Sequence, residues 1–373
     1  MYIEAFTTHF GQFSDTRQSA KVTYPLEDIL FITLCGVVAG AEGWSEIRDY
    51  ADGHIEWFQQ HGFLRDGVPV DDTITRTISR IDPEQFRACF IQWMQAVHEN
   101  TEGQLIAIDG KTLRSSYQRG ARQSTIDMVN AFACANKVVL GQVKTSEKSN
   151  EITAIPELIQ LLDVKGALVS IDAMGCQTSI AKEIVGQGGD YFFTLKNNQE
   201  TLCKAVVNAF AETRKAPLGG LTFEQKRGRI EARTYHVLKA EEVSKMFPQW
   251  PQLKTLGMSM SFRQQQDKAP ELMYRYHISS ACLSEKQLAE AVRSHWAIEN
   301  SLHWVLDVSM GEDACHIHQN HGAENWSMLR HLALNMLRAE SSKGSIPAKQ
   351  KRVWMKANYL EAVLTAGFSS MIN

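Results

Sequence analysis

Leu105-Ile-Ala-Ile-Asp109-Gly-Lys111 and Leu168-Val-Ser-Ile-Asp172-Ala-Met174 are two short apolar segments that each end in an aspartate. Because their apolar residues are consecutive rather than alternating, each predicts a strand that is buried on both faces of a sheet. In an open α/β sheet the functional crevice lies beyond the carboxyl ends of such strands. Two carboxylates side by side would repel each other unless a cation held them together, so the pair predicts a Mg²⁺ site.

Composition and length are those of an ordinary globular protein. The chain has 373 residues, of which 44% are hydrophobic and 22% charged, enough for two or three domains. No signal peptide is evident, and the most apolar helix candidate, residues 29–39, is too short to cross a bilayer. The seven cysteines are scattered without a Cys-x-x-Cys pair. These features predict a reduced, cytoplasmic protein with no membrane partner.

Charge is distributed unevenly along the chain. The net charge of −3 gives no general case for nucleic-acid binding. Residues 1–100 carry 7 Lys and Arg against 15 Asp and Glu, whereas the remainder carries 32 against 27. Any phosphate-binding surface is therefore predicted after residue 100.

The pattern along the chain predicts three regions. Residues 1–100 read as helices (about 25–39, 44–60, 73–79 and 83–98), a cap or dimerisation domain rather than a helix-turn-helix DNA reader. Residues 101–340 predict the order βββαβαβ, typical of an α/β ribonuclease H-like core. Alternating segments near 258–263 and 272–279 predict a β-rich insertion at about 197–280. Residues 341–373 form a basic helical tail with a solvated face.

A third carboxylate lies on a predicted long helix. Ser284 and Gln287 form a capping box at its start. A 4-3-4-3-4 spacing then predicts one inward face, made of Leu288, Val292, His295, Glu299, Leu302 and Leu306. An uncompensated buried carboxylate costs several kcal/mol, so Glu299 needs a salt bridge, a proton or a metal. With two aspartates already requiring a cation, the metal is favoured.

Three carboxylates from separate elements suit a two-metal phosphoryl-transfer site. Metals roughly 3.5–4 Å apart activate the attacking water or 3′-hydroxyl and neutralise the leaving oxygen. Oxygen ligands suit Mg²⁺ or Mn²⁺. The expected arrangement has Asp109 bridging both metals, with Asp172 and Glu299 each completing one.

The motifs around these acids resemble those of the H-repeat-associated insertion-sequence transposases linked to Rhs elements. The resemblance covers nearly the whole chain. It is carried by residues 106–114, Glu147-Lys-Ser-Asn-Glu-Ile-Thr-Ala-Ile-Pro156, residues 170–177, Gly188-Gly-Asp-Tyr191, His295-Trp-x-Ile-Glu-Asn-x-Leu-His-Trp304 and Leu306-Asp-Val308.

The resemblance implies a DDE transposase with a ribonuclease H-like, retroviral integrase-like core and the triad Asp109, Asp172 and Glu299. The implied reaction is Mg²⁺-dependent cleavage at the element's ends, then attack of the freed 3′-hydroxyl on target DNA. The implied partners of the protein are double-stranded DNA and further copies of the chain. The DNA includes the element's terminal inverted repeats and the target, and the copies form a dimer or a larger synaptic complex.

One part of the family pattern is absent here. Related transposases carry a Tyr, an Arg and a Lys around the helix glutamate, where this chain has Val292, His295 and Leu306. Leu306 cannot contact phosphate, whereas His295 remains a candidate contact.

Basic residues supply the other DNA-binding candidates. Lys111 and Arg114 follow Asp109 and are candidates for the scissile phosphate, with a solvated loop as the alternative. A basic hairpin within the insertion is predicted to follow the DNA backbone through Lys226, Arg227, Arg229 and Arg233.

Several further residues are assigned to other roles. Cys315, His316, His318 and His321 fit no standard zinc spacing. Asp307, Glu312 and Asp313 are rival acids, and Glu312 and Asp313 are candidates to support the metal ligands. Trp296 and Trp304 are assigned to the core.

The sequence leaves two rival functions open. One is a ribonuclease H-like nuclease that does not perform strand transfer. The other is a catalytically degenerate element remnant that binds DNA only.

Overall fold

The structure is a computed structural model that describes residues 2–18, 20, 22–97, 103–114, 116, 125–145, 151–213, 222–226, 229–265 and 269–369. Side chains are not described for residues 222–226, 229 and 265. Among the described residues, no helix is both long and apolar enough to cross a membrane.

The described residues up to Val97 contain six α-helices: α1 (Tyr2–Phe10), α2 (Leu26–Ala39), α3 (Trp44–Gly53), α4 (Ile55–Gln60), α5 (Asp71–Ile78) and α6 (Pro83–Val97). Helix α2 is apolar on all sides and buried almost throughout, as expected for a central helix. The single helix predicted over 44–60 is instead two helices, because the chain turns at His54.

The central sheet begins with a meander of β1 (Leu105–Leu113), β2 (Ile126–Ala133) and β3 (Val138–Lys144). Helix α7 (Glu151–Leu161) leads to β4 (Leu168–Ile171), and α8 (Thr178–Gly186) leads to β5 (Asp190–Leu195). The three meander strands pair antiparallel, whereas β1, β4 and β5 run parallel in the order β3-β2-β1-β4-β5. This arrangement agrees with the predicted ribonuclease H-like class.

The β-rich segment extends this sheet. A 3₁₀ turn (Asn197–Gln199) and α9 (Glu200–Thr213) precede β6 (Thr222–Lys226), β7 (Arg229–Lys239), α10 (Glu241–Met246), β8 (Thr255–Gln265) and β9 (Glu271–Ser279). Strand β9 pairs antiparallel with β5, so that β9, β8, β7 and β6 continue the central sheet to nine strands.

The described residues after β9 are helical: α11 (Glu285–Ala297), a π-helical segment (Ile298–His303), α12 (Trp304–Ser309), α13 (Gly322–Ala339), α14 (Ile346–Met355) and α15 (Ala357–Phe368). Helix α13 is buried along most of its length and contacts α2, α6 and β3. Its Asn335 side chain exchanges two hydrogen bonds with the backbone of Val139, which satisfies polar groups of the edge strand β3.

The basic tail is packed rather than uniformly solvated. Helices α14 and α15 lie against α2 and α13. Lys349 is 5% exposed; its Nζ donates to the carbonyl of Leu337 and lies 3.2 Å from Glu340 Oε2. The prediction of a solvated face is therefore wrong for Lys349, because its ammonium group binds the Leu337 carbonyl and the Glu340 carboxylate at the C-terminal end of α13.

Candidate functional site

Asp109 and Asp172 lie side by side where the parallel pairing of β1 and β4 ends. The expectation that the first strand ends at Asp109 is wrong, because β1 continues to Leu113 in its pairing with β2. The paired stretch of β1 and β4 ends at Ile108 opposite Ile171, and each aspartate is the next residue. Asp172 Oδ1 accepts the backbone N–H of Met174 at 2.8 Å, which orients this carboxylate just beyond the strand.

Glu299 is brought to the same edge by the π-helical segment, which also carries His303. The Nδ1 atom of His303 lies 3.8 Å from Asp109 Oδ2 and 3.8 Å from Glu299 Oε2. Within the described ranges, Asp109, Glu299 and His303 are the only His, Cys, Asp and Glu side chains whose ligand atoms come close enough, within 4.8 Å, to share a metal ion.

The inward face predicted for this helix is only partly correct. Leu288, Leu302 and Leu306 are fully buried, but the Glu299 side chain is 54% exposed. The π turn adds to the helical repeat, so the 3.6-residue spacing does not carry across it. Glu299 consequently lies at the rim of the core.

The electrostatics of the cluster are those of crowded acids. The pKa of Asp109 is raised to about 7: burial is the largest cause, the charges of Glu299 and Asp172 also raise it, and His303 opposes them. Contact with His303 lowers the pKa of Glu299, and the charge of Lys111 adds to that effect. The oxygen donors fit a hard divalent cation, which would relieve this repulsion.

A fourth acid, Glu151, stands next to the cluster. Burial raises the pKa of Glu151, and the charges of Asp172 and Asp127 raise it further. Its carboxylate covers Gly110, the residue after Asp109. Sequence reasoning missed both Glu151 and His303 as site residues, although each lies inside a motif that carried the family resemblance.

Lys111 is neutralised inside the protein. Its Nζ lies 2.5 Å from Asp307 Oδ1, 3.6 Å from Glu312 Oε2 and 3.7 Å from Asp313 Oδ1, and its side chain is 8% exposed. This places the three rival acids around Lys111 rather than in the cluster of Asp109 and Glu299. Lys111 is thus occupied by carboxylates, whereas Arg114 is 76% exposed and pairs only weakly with Asp313 at 3.3 Å.

His295 also faces inward. Its Nδ1 lies 2.8 Å from the hydroxyl of Ser170 on β4, and burial lowers its pKa. A neutral imidazole held in this way has no charge to offer a phosphate. In the structure, His295 connects α11 to strand β4 of the sheet through its contact with Ser170.

The basic hairpin is described only in part. Lys226 and Arg229 pair across β6 and β7, while Arg227 lies outside the described residues. Arg233 is 39% exposed and donates to Glu231 at 2.8 Å.

A groove of about 680 Å³ separates strands β7–β9 from α11 close to Glu299. Its lining includes four arginines, an exposed tryptophan and two acids: Arg233, Arg263, Arg275, Arg293, Trp296, Glu231 and Glu271. The Arg275 guanidinium lies 5.9 Å from the centroid of the Trp296 ring. Trp296 and Trp304 are 50% and 57% exposed, so their assignment to the core is wrong; they project from the solvent side of the helix.

Known families match both parts of the chain. Residues 7–94 match the family described as DDE_Tnp_1-associated, and residues 100–336 match the family described as Transposase DDE domain.

The chain is 42% identical over 378 residues to "H repeat-associated putative transposase YhhI" of Escherichia coli (strain K12), covering 98% of both chains. It is 45% identical over 373 residues to "Putative transposase YncI" of Escherichia coli O157:H7, covering 98% of this chain and 96% of the relative. A solved piggyBac transposase synaptic complex with hairpin DNA aligns over 96% of this chain and 78% of its own, at 12% identity and a TM-score of 0.43. That score is too low to establish a shared fold.

Proposed function

Because the chain belongs to the DDE transposase family, we propose that it moves an insertion-sequence element by divalent-metal-dependent cleavage at the element's ends. The freed 3′-hydroxyl then attacks target DNA. Membership in a transposase family makes DNA the partner, and the finer steps are what the experiments below test.

The observation that supports this proposal is the cluster of Asp109 and Glu299 with Asp172 beside it: Asp172 lies outside the 4.8 Å cluster, but its charge raises the pKa of Asp109. Asp109 and Asp172 directly follow paired residues of adjacent parallel strands, and Glu299 shares a 4.8 Å cluster with Asp109. Acids this close are unfavourable without a cation, so a site that keeps them together favours metal binding over a structural role. Divalent cations held by these oxygens would activate the attacking hydroxyl group and neutralise the leaving oxygen.

Each carboxylate has a distinct structural position. Asp109 is central because Glu299 and Asp172 both act on its charge. Asp172 is oriented by the N–H of Met174. Glu299 is half exposed, which leaves it open to a DNA strand that lies across the sheet edge.

The arginine-lined groove supports a DNA path to this site. Arg263, Arg275 and Arg293 line it next to the helix that carries Glu299, and guanidinium groups suit phosphate contacts. Strands β7 and β6 continue the sheet beyond β9 and β8, and we propose that Lys226, Arg227, Arg229 and Arg233 contact the DNA backbone there. Arg114 is a further candidate contact.

Domain roles and assembly follow from the same proposal. Residues 1–100 would form the associated helical domain, residues 101–340 the catalytic domain with its insertion, and residues 341–373 the C-terminal tail. Two element ends must be brought together for transposition, so a homodimer or larger synaptic complex is the expected active form.

The test uses a DNA fragment carrying the element's ends, taken from the genomic flanks of the gene. Asp109→Asn, Asp172→Asn and Glu299→Gln should each abolish Mg²⁺-dependent or Mn²⁺-dependent cleavage while leaving DNA binding intact. Asp163→Asn is the matched control, because Asp163 is exposed in the loop before β4, at the opposite end of the strand from Asp172. Cleavage that survives Asp109→Asn overturns the proposal.

A second assay separates strand transfer from simple hydrolysis. Ends supplied with a pre-cut 3′-hydroxyl should yield joined products with target DNA. Cleavage without joining would assign a nuclease, and binding without either reaction would assign a degenerate remnant.

A further inference from the structure

His303 is the one nitrogen donor in the candidate metal cluster of the described chain. Its ring is held at the sheet edge by the π-helical segment, one turn after Glu299. Residues four apart on a helix lie on one face, and the wider π turn brings them nearer to alignment. π turns recur at functional sites.

The contacts of His303 are unusual for a buried imidazole. The side chain is 7% exposed, yet Nδ1 lies 3.8 Å from both carboxylate oxygens, beyond hydrogen-bond distance. Nε2 is buried and has no hydrogen-bond partner. Buried polar groups are nearly always paired, so a ring in this position requires an explanation.

The position of Nδ1 explains the orientation of the ring, while Nε2 stays without a partner. Nδ1 is equidistant from Asp109 Oδ2 and Glu299 Oε2, and all three atoms come within 4.8 Å of one another. Ligand atoms around a first-row cation lie about 2.0–2.2 Å from the metal, and hence about 3 Å or more from one another. Small side-chain movements would let all three reach the same ion.

We propose that His303 is a direct ligand of the metal ion shared by Asp109 and Glu299, which makes this a mixed imidazole and carboxylate site. The proposal rests on the metal-dependent function above. Mg²⁺ favours oxygen donors, whereas transition metals accept imidazole readily. The site should therefore gain affinity for Mn²⁺ from His303 and gain much less for Mg²⁺.

Buried polar atoms nearby fit a built site rather than a chance contact. Asn130 is the cross-strand partner of Asp109, is 1% exposed, and has an Oδ1 atom without a hydrogen-bond partner. Opposite residues in an antiparallel pair share a face of the sheet, so this amide stands beside the Asp109 carboxylate.

Pulsed EPR of the full chain loaded with Mn²⁺, in a buffer free of nitrogen ligands and without a histidine tag, tests the assignment directly. The unaltered protein should show ¹⁴N coupling from a coordinated imidazole, and ¹⁵N-histidine labelling should convert it to ¹⁵N coupling. The coupling is measured on the unaltered protein, so it does not depend on how a variant folds. Loss of Mn²⁺ binding in Asp109→Asn identifies the ion at this site. If that ion shows no nitrogen coupling in the unaltered protein, the proposal is overturned.

The matched variants are His303→Gln and His316→Gln, the latter at an exposed histidine outside the cluster. His303→Gln should lose the nitrogen coupling and, by calorimetry, about tenfold or more of its Mn²⁺ affinity with a smaller change for Mg²⁺. His316→Gln should change neither. Coupling that persists in His303→Gln, or equal losses for both metals, contradicts the assignment.

Failure of this proposal is distinguishable from failure of the proposed function. If His303 is not a ligand, cleavage still depends on Asp109, Asp172 and Glu299. If the proposed function fails, the unaltered chain does not cleave and join the ends, or Asp109→Asn leaves end cleavage unchanged, whatever the EPR spectrum shows.

Discussion

Glu151 covers Gly110 so closely that any side chain there would displace it: a Cβ built on Gly110 would lie 1.9 Å from Glu151 Oε1. Successive residues of a strand point to opposite faces. Asp109 thus faces the π-helical segment, while Gly110 faces the start of α7. Asp109 therefore belongs to the metal cluster, and Gly110, which has no side chain, leaves space for the Glu151 carboxylate.

The first prediction concerns this contact. Gly110→Ala should force Glu151 away and destabilise the protein by about 1 kcal/mol, the lower end of the cost of overpacking, because the atoms that must move are the end of a flexible side chain. Cleavage activity should fall as well, because Asp109 is the preceding residue. Urea unfolding and the end-cleavage assay measure the two effects.

A matched control is Gly186→Ala, because a Cβ at Gly186 meets nothing within 4 Å. The double variant Gly110→Ala/Glu151→Ala should recover most of the lost stability. No recovery would mean that the clash with Glu151 is not the cause.

The second prediction concerns Lys111. Lys111→Met should cost about 3–5 kcal/mol of unfolding free energy, because Asp307, Glu312 and Asp313 lose the buried ammonium that they share. Arg114→Met, which removes an exposed partner of the same Asp313, should cost about 1 kcal/mol or less. Similar losses in the two variants would contradict the acidic enclosure of Lys111.

The third prediction follows from the pKa of Asp109, raised by burial from 3.8 to about 7. Between about pH 4 and 7 the folded chain retains a proton that the unfolded chain has released, so the contribution of this group to stability decreases as pH rises. Without divalent cations, Asp109→Asn should therefore become more stable than the unaltered chain as pH increases from 5 to 8.

Thermal melts across this pH range, with chelator present, measure the difference. Asp163→Asn should follow the unaltered protein at every pH. Added Mn²⁺ should reduce the advantage of Asp109→Asn, and an advantage independent of pH would contradict the assignment of the titration to Asp109.

The fourth prediction concerns the groove. Arg275→Gln combined with Arg293→Gln should weaken DNA binding and reduce the slope of log K against log salt by about 0.9 for each phosphate contact removed. Lys165→Gln provides the control, because this exposed lysine precedes β4 at the opposite edge of the sheet. Fluorescence anisotropy at several salt concentrations measures the slope. An unchanged slope would exclude the groove as a DNA path.

The order of the core strands and the position of the two aspartates could be predicted from local sequence pattern. Continuous apolar residues predict a strand that is covered on both faces, and the paired stretches of β1 and β4 end beside each other, although β1 itself continues to Leu113. Residues 105–108 and 168–171 pair as that reasoning requires. The individual roles of Asp109, Asp172 and Glu299 remain predictions that the variants test.

Long-range packing decided what local pattern could not. The π turn changes the direction of the side chains around the helix axis, so that Glu299 lies at the rim of the core and His303 lies next to Asp109. A 3.6-residue spacing does not predict this change. Likewise, Lys111 is an ordinary loop lysine in sequence and becomes buried only because α12 and the loop after it carry acids to it. Periodicity records which face of one element is apolar, whereas the charges that meet across elements depend on how the whole chain packs.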